Sequence, residues 1–179
     1  GQGRQQLTRL NRRDASLLMR SNIGAGTVPP RRAKVALCTV SNLAADNLND
    51  IFRTHHIAVA IPEYGCIEFW GDLEWTMEAL INLRKNCMEH SKPGGGVYCN
   101  YSGNPLYVEI QVWDDGEGFD TEDLPHLFDR FYRGRCAAPD GIGIGLALAR
   151  SIFELQNGTI TAYNLQNGGA CFEIRMYSH

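Results

Sequence analysis

The spacing of apolar residues changes along this chain, and each change marks an element. Leu7, Leu10, Leu17 and Leu18 form a helix-compatible stripe within Gln5 to Arg20, with Arg9, Arg12, Arg13 and Arg20 on its other faces. Gly24-Ala25-Gly26-Thr27-Val28-Pro29-Pro30 breaks any helix and reads as a linker, placed at residues 23–33. Leu37, Val40, Leu43, Ala44, Leu48 and Ile51 then recur at helical spacing and predict a helix over about 38 to 53. Ile57 to Ile61, Pro62-Glu63-Tyr64-Gly65 and Cys66 to Trp70 predict strand, turn and strand, a hairpin. Asp72 suits an N-cap, and Leu73, Met77, Leu80, Ile81, Cys87 and Met88 supply the buried side of a helix that stops before Pro93-Gly94-Gly95-Gly96.

Two alternating strands follow, Val97 to Tyr101 and Leu106 to Trp113, with Ser102-Gly103-Asn104-Pro105 as their turn. A polar stretch from Thr121 to Asp140 leads to Gly141-Ile142-Gly143-Ile144-Gly145 and an apolar helix, Leu146 to Leu155, which Asn157-Gly158 ends. Thr159 to Asn164 and Ala170 to Met176 close the chain as a hairpin. Helices interleaved with hairpins predict a two-layer α/β sandwich, helices covering one face of a mixed sheet, over residues 34–179.

Composition narrows the partners. With 44% hydrophobic residues the chain can bury a core, and a net charge of -3 argues against nucleic acid or an anionic membrane, which demand a concentrated basic face. The six cysteines show no C-x-x-C pair, which fits free thiols in a reducing cytosol better than zinc or a disulfide framework. No apolar run approaches the ~20 residues of a membrane span, and Gly1-Gln2-Gly3 does not open a signal peptide.

Three motifs carry candidate chemistry. Asn82, Asn86 and His90 lie four residues apart on one helix face. That stripe suits a solvated face or a magnesium site, because an amide oxygen is a hard ligand able to share an octahedral shell with water and phosphate. Asp114-Asp115-Gly116-Glu117-Gly118 follows a strand end, where a carboxylate could accept a hydrogen bond from an exocyclic amine and glycines let the backbone approach a ligand. Gly141 to Leu146 opens a helix whose bare amides could cradle phosphates. No strand precedes this triplet as a Rossmann site requires, and no Lys-Ser/Thr follows it as in a Walker loop.

In this order the motifs resemble the ATP-binding fold shared by histidine kinases, Hsp90, gyrase and MutL. The segment Asn82-Leu83-Arg84-Lys85-Asn86-Cys87-Met88-Glu89-His90-Ser91 is similar to the N box of sensor histidine kinases. Asp114 to Gly118 resembles their first glycine box, Leu127-Phe128-Asp129-Arg130-Phe131-Tyr132-Arg133 their F box, and Gly141 to Leu146 their second glycine box. The resemblance covers residues 35 to 177 and implies the catalytic domain of a two-component kinase. By it, Asn86 would ligate Mg²⁺, Asp114 would bind the adenine amino group, and Gly116 and Gly118 would shape the base pocket. Gly141, Gly143, Gly145 and Leu146 would hold the ATP phosphates, with Arg130 and Arg133 reaching in from a lid over about 119 to 140. His90 would pack in the N box or edge the ribose. Asn82 stands where related ATPases carry a Glu general base, and an amide cannot take that proton, which favours phosphoryl transfer over hydrolysis.

The same resemblance makes residues 1–22 the end of a dimerisation stalk's second helix. The phosphoacceptor histidine of that stalk is absent, so the fragment would not autophosphorylate alone. The parent would be a homodimeric, membrane-anchored bacterial sensor, this portion cytoplasmic, its partners a stalk histidine and a response regulator. Four residues depart from the family: Glu89 replaces a usually basic residue, Arg84 an apolar one, Lys85 one that is often acidic or polar, and Ala170 a Thr that frames the adenine. They leave room for a degenerate nucleotide-sensing or docking module. An anti-sigma-factor serine kinase shares the fold, but it lacks the F box and stalk-like helix.

Overall fold

The computed structural model describes residues 30–60, 67–129 and 145–178. The stalk-like stripe, most of the linker, the turn at Pro62 to Gly65 and the segment 130–144 lie outside them.

Strand β1 (Ala33–Ala36) leads directly into helix α1 (Leu37–Thr54), one residue longer at each end than its apolar spacing predicts. His56, in the left-handed region at φ 54, turns the chain out of α1, and Ile57 N–H closes the helix on Phe52 C=O at 2.9 Å. Strands β2 (Ala58–Ala60) and β3 (Glu68–Gly71) do form, but they are not a hairpin. Strand β2 runs parallel to β4 (Gly96–Gly103), while β3 pairs antiparallel with β1 in a separate two-stranded sheet.

The cause lies outside the local sequence. Gly94 N–H donates to His56 C=O at 2.8 Å and Ala58 N–H to Gly95 C=O at 3.0 Å, so the glycine run after the second helix draws β2 alongside β4. Leu37 N–H meanwhile takes Ile67 C=O at 2.8 Å, which fixes β3 beside β1.

Helix α2 (Leu73–His90) begins as its sequence predicts: Asp72 Oδ1 accepts Trp75 N–H at 3.1 Å, and the other carboxylate oxygen accepts Arg31 N–H at 2.8 Å. Strand β5 (Tyr107–Asp114), helix α3 (Gly145–Leu155), β6 (Gly158–Asn164) and β7 (Ala170–Tyr177) complete a mixed sheet in the order β2-β4-β5-β7-β6. Alternation decides its faces: Val108, Ile110 and Val112 of β5 and Phe172, Ile174 and Met176 of β7 are buried with the apolar sides of α1, α2 and α3.

The other face stays open, with Tyr98 stacked on Trp113 and Arg175 over the Tyr107 ring. Buried Gln156 joins the helices, its Oε1 accepting Asp72 N–H at 2.7 Å and Thr76 Oγ1 at 3.2 Å. The helix layer thus presents the C-terminal half of α2, the first turn of α3 and the end of β5 to one another.

Candidate functional site

Asn82, Asn86 and His90 are half-buried along one side of α2, while Lys85 and Glu89 between them are exposed and Leu83, Cys87 and Met88 fill the core. Eight residues of helix span ~12 Å. At one end of that span Asn82 faces α3: a Cβ added to Gly145 would lie 3.7 Å from Asn82 Oδ1. At the other end α2 meets the first glycine box, since a Cβ on Gly116 would stand 2.4 Å from His90 C=O. Only glycine permits that approach.

Asp114, the last residue of β5, is wholly buried. Its Oδ1 accepts the N–H groups of Gly116 at 2.9 Å and Ala170 at 3.4 Å. Among the described residues its Oδ2 has no hydrogen-bond partner, and Asn86 Oδ1 and Asn82 Nδ2 are likewise buried and unpartnered. Such orphaned atoms are rare because each forgoes its hydrogen bonds to water without replacement. Burial pushes the Asp114 carboxyl above its ordinary value, opposed by its two backbone donors, the His90 ring and the Cys87 thiol. Burial also lowers His90, against the pull of Asp114 and Asp123.

Around this line, the His90 ring meets the edge of Phe119 with centroids 5.6 Å apart, and Phe119 meets Phe172 at 5.5 Å. In the F box Leu127 is buried and Phe128 packs on Phe172 at 6.3 Å beneath the Arg150 guanidinium. Leu146 leans on the core from α3. Asp115 turns out of the pocket, its carboxylate taking Gly96 N–H at 3.0 Å and Tyr98 Oη at 3.3 Å. Arg130, Arg133, Gly141 and Gly143 fall outside the described residues.

Two features were not read from the sequence. Arg84 is fully buried and donates to Ser41 C=O at 2.8 Å and to Ser41 Oγ, tying α2 to α1 on the side away from Asn82 and Asn86. Asn164 binds the main chain just past Gly118. No spacing signal marks either, because each partner lies more than 40 residues away.

Residues 71–178 match the family described as histidine kinase-, DNA gyrase B-, and HSP90-like ATPase. The sensor protein KdpD of Clostridium acetobutylicum is 31% identical over 136 residues, covering 74% of this chain and 15% of KdpD. The chain therefore spans a small part of that relative's length.

Among solved structures, a mycobacterial sensor histidine kinase, MprB, superposes with a TM-score of 0.72 at 21% identity, over 82% of this chain and 99% of that one. Histidine kinase ThkA in complex with response regulator TrrA gives 0.72 at 18% identity, over 98% and 49%. These likenesses carry the fold, and the family match spans the N-box helix, both glycine boxes and the closing hairpin. The chain belongs to the histidine kinase-, DNA gyrase B-, and HSP90-like ATPase family, in the form that sensor histidine kinases carry as their ATP-binding catalytic domain.

Proposed function

We propose that this domain binds Mg·ATP along α2 and, within its full-length parent, delivers the γ-phosphate to a histidine on a dimerisation stalk. The observation that carries the reading is the set of three orphaned atoms, Asn82 Nδ2 and Asn86 Oδ1 on α2 and Asp114 Oδ2 at the end of β5, a donor and two acceptors that are all buried. Their chemistry fits a nucleotide. Asp114 Oδ2 would accept the adenine amino group beside Gly116 and Gly118. Asn86 Oδ1 is a neutral hard oxygen suited to Mg²⁺, and Asn82 Nδ2 is a donor suited to a phosphate oxygen. Bound Mg²⁺ would neutralise charge on the phosphates.

The chain's own residues then orient and shield. Asn82 offers no base to activate water, so an acceptor side chain competes better. Gly145, at the start of α3, lies beside Asn82, and amides there, with Gly141, Gly143, Arg130 and Arg133, would complete the phosphate end. Glu89 is exposed on the rim, outside the half-buried line.

The acceptor histidine, a homodimeric parent, a response regulator as next recipient and a cytoplasmic setting extend the same reading. A response regulator as partner is supported by ThkA's complex with one, and a sensor as parent by the KdpD relative. Among the described residues no helix is long and apolar enough to cross a membrane.

Calorimetry with ATP and ADP, with and without Mg²⁺, tests the core of it. Binding is expected, strengthened by Mg²⁺, and Asn86→Ala should remove the Mg²⁺-dependent part while the circular dichroism spectrum is kept. No binding at millimolar nucleotide would sink the proposal.

A further inference from the structure

Asn164 ends β6 in the closing hairpin, outside the N box, the F box and both glycine boxes. Its carboxamide makes both hydrogen bonds that a neighbouring strand would make to an extended residue: Oδ1 accepts Phe119 N–H at 2.7 Å, and Nδ2 donates to Phe119 C=O at 2.9 Å. The reciprocity fixes which way the amide points, since a backbone N–H can only donate and a carbonyl only accept.

Gly118 makes room for this clamp. Its φ of 84 is in the left-handed region, and a Cβ there would stand 2.7 Å from Asn164 Oδ1. What the clamp holds is one wall of the candidate pocket: Phe119, only 6% exposed, is set edge-on to His90 and to Phe172. Just upstream, Gly116 lies against His90 C=O and donates to the oxygen of Asp114 that is not orphaned.

We infer that Asn164 is a positioning residue for the base end of the nucleotide pocket, holding Gly118 and Phe119 so that His90 and the Asp114 carboxylate keep their places. It touches no reacting atom and acts through the main chain. The inference rests on the nucleotide reading given above, and its test separates the two.

Affinities for ATP and ADP are measured by calorimetry on the wild type, Asn164→Ala and Gly118→Ala, at a temperature well below each melting midpoint. The clamp lies at the base end, remote from the γ-phosphate, so ATP and ADP should weaken by the same factor. Loss of two buried-side hydrogen bonds makes that factor about tenfold. Gly118→Ala, which pushes the amide off without touching it chemically, should reproduce the equal loss. Should Asn164→Ala fail to fold, Asn164→Asp, which keeps the acceptor for Phe119 N–H and loses the donor, carries the same comparison.

Unchanged affinities in a variant with a lowered melting point would make Asn164 a stability residue only and overturn the inference. So would a loss confined to ATP, which would place its action at the phosphates. A wild type that binds neither nucleotide would overturn the nucleotide reading itself, and this inference with it.

Discussion

Burial holds the Asp114 carboxyl above its ordinary 3.8 while one of its oxygens waits for a donor, and these two facts give opposite pH dependences. Between 3.8 and the raised value the folded state keeps a proton that the unfolded chain has lost. Stability of the empty protein should therefore fall as pH rises through that window, and stay lower above it. Adenine recognition runs the other way, because the ionised carboxylate is the better acceptor for an amino group, so ATP should bind more tightly as pH rises through the same window.

Urea melts and calorimetry across the acid range read the two slopes. Asp114→Asn should flatten both and weaken ATP by about tenfold to a hundredfold, the worth of a hydrogen bond to a charged group, with a smaller loss for a guanine nucleotide. Equal losses for the two bases would remove Asp114 from base recognition. This much of the site was legible in the sequence, since an acidic strand end followed by glycines describes the carboxylate and the approach it needs. The orphaned state of Oδ2 was not, because it depends on which amides reach Oδ1 from Gly116 and, across the sheet, from Ala170.

Among elements, α1 and α2 are locked by a side chain that the N-box pattern would make apolar. Arg84 is fully buried and Ser41 is 1% exposed, so the guanidinium depends on Ser41 for the hydrogen bonds it gave up on leaving water. Ser41→Ala should destabilise the domain by about 1–3 kcal/mol, because the charge stays buried with fewer acceptors. Adding Arg84→Leu should recover most or all of that loss, since apolar replacements of buried charges are often neutral or stabilising. Denaturant midpoints at constant slope measure both. Additive losses would show that the pair is not the lock.

The same scale shows where sequence reading stops. Apolar periodicity places α1 within one residue at each end, and the Asp72 cap fixes the start of α2, because both signals are local to the helix they mark. Two short strands around a Pro-Gly turn read as a hairpin, yet β2 and β3 take partners in different sheets. Their alternation states that each is a strand and says nothing about which strand it will meet. The Gly94 and Gly95 backbone contacts that decide the matter come from the far end of α2.

Across the whole molecule, the packing that buries the core leaves two polar atoms of α2 and one at the end of β5 without partners among the described residues, and a ligand that supplies those partners must stabilise the fold. The architecture concentrates this effect. Gln156 ties the start of α2 to the end of α3, Arg84 ties α2 to α1, and Asn164 ties the first glycine box to β6, so α2 and the glycine box beside it are linked to elements from several parts of the described chain. For a ligand that binds only the folded state, a concentration one hundred times the dissociation constant adds about 2.7 kcal/mol. In a domain of this size that raises the melting temperature by roughly 5 to 10 °C. The shift should be largest for ATP with Mg²⁺, smaller for ATP alone, and in Asn86→Ala the two should coincide because the amide proposed to hold the metal is gone. Thermal melts followed by circular dichroism at fixed nucleotide, with and without Mg²⁺, make the comparison. A shift in Asn86→Ala that still grows on adding Mg²⁺ would mean that the metal is held elsewhere, and the set of orphaned atoms would need another explanation.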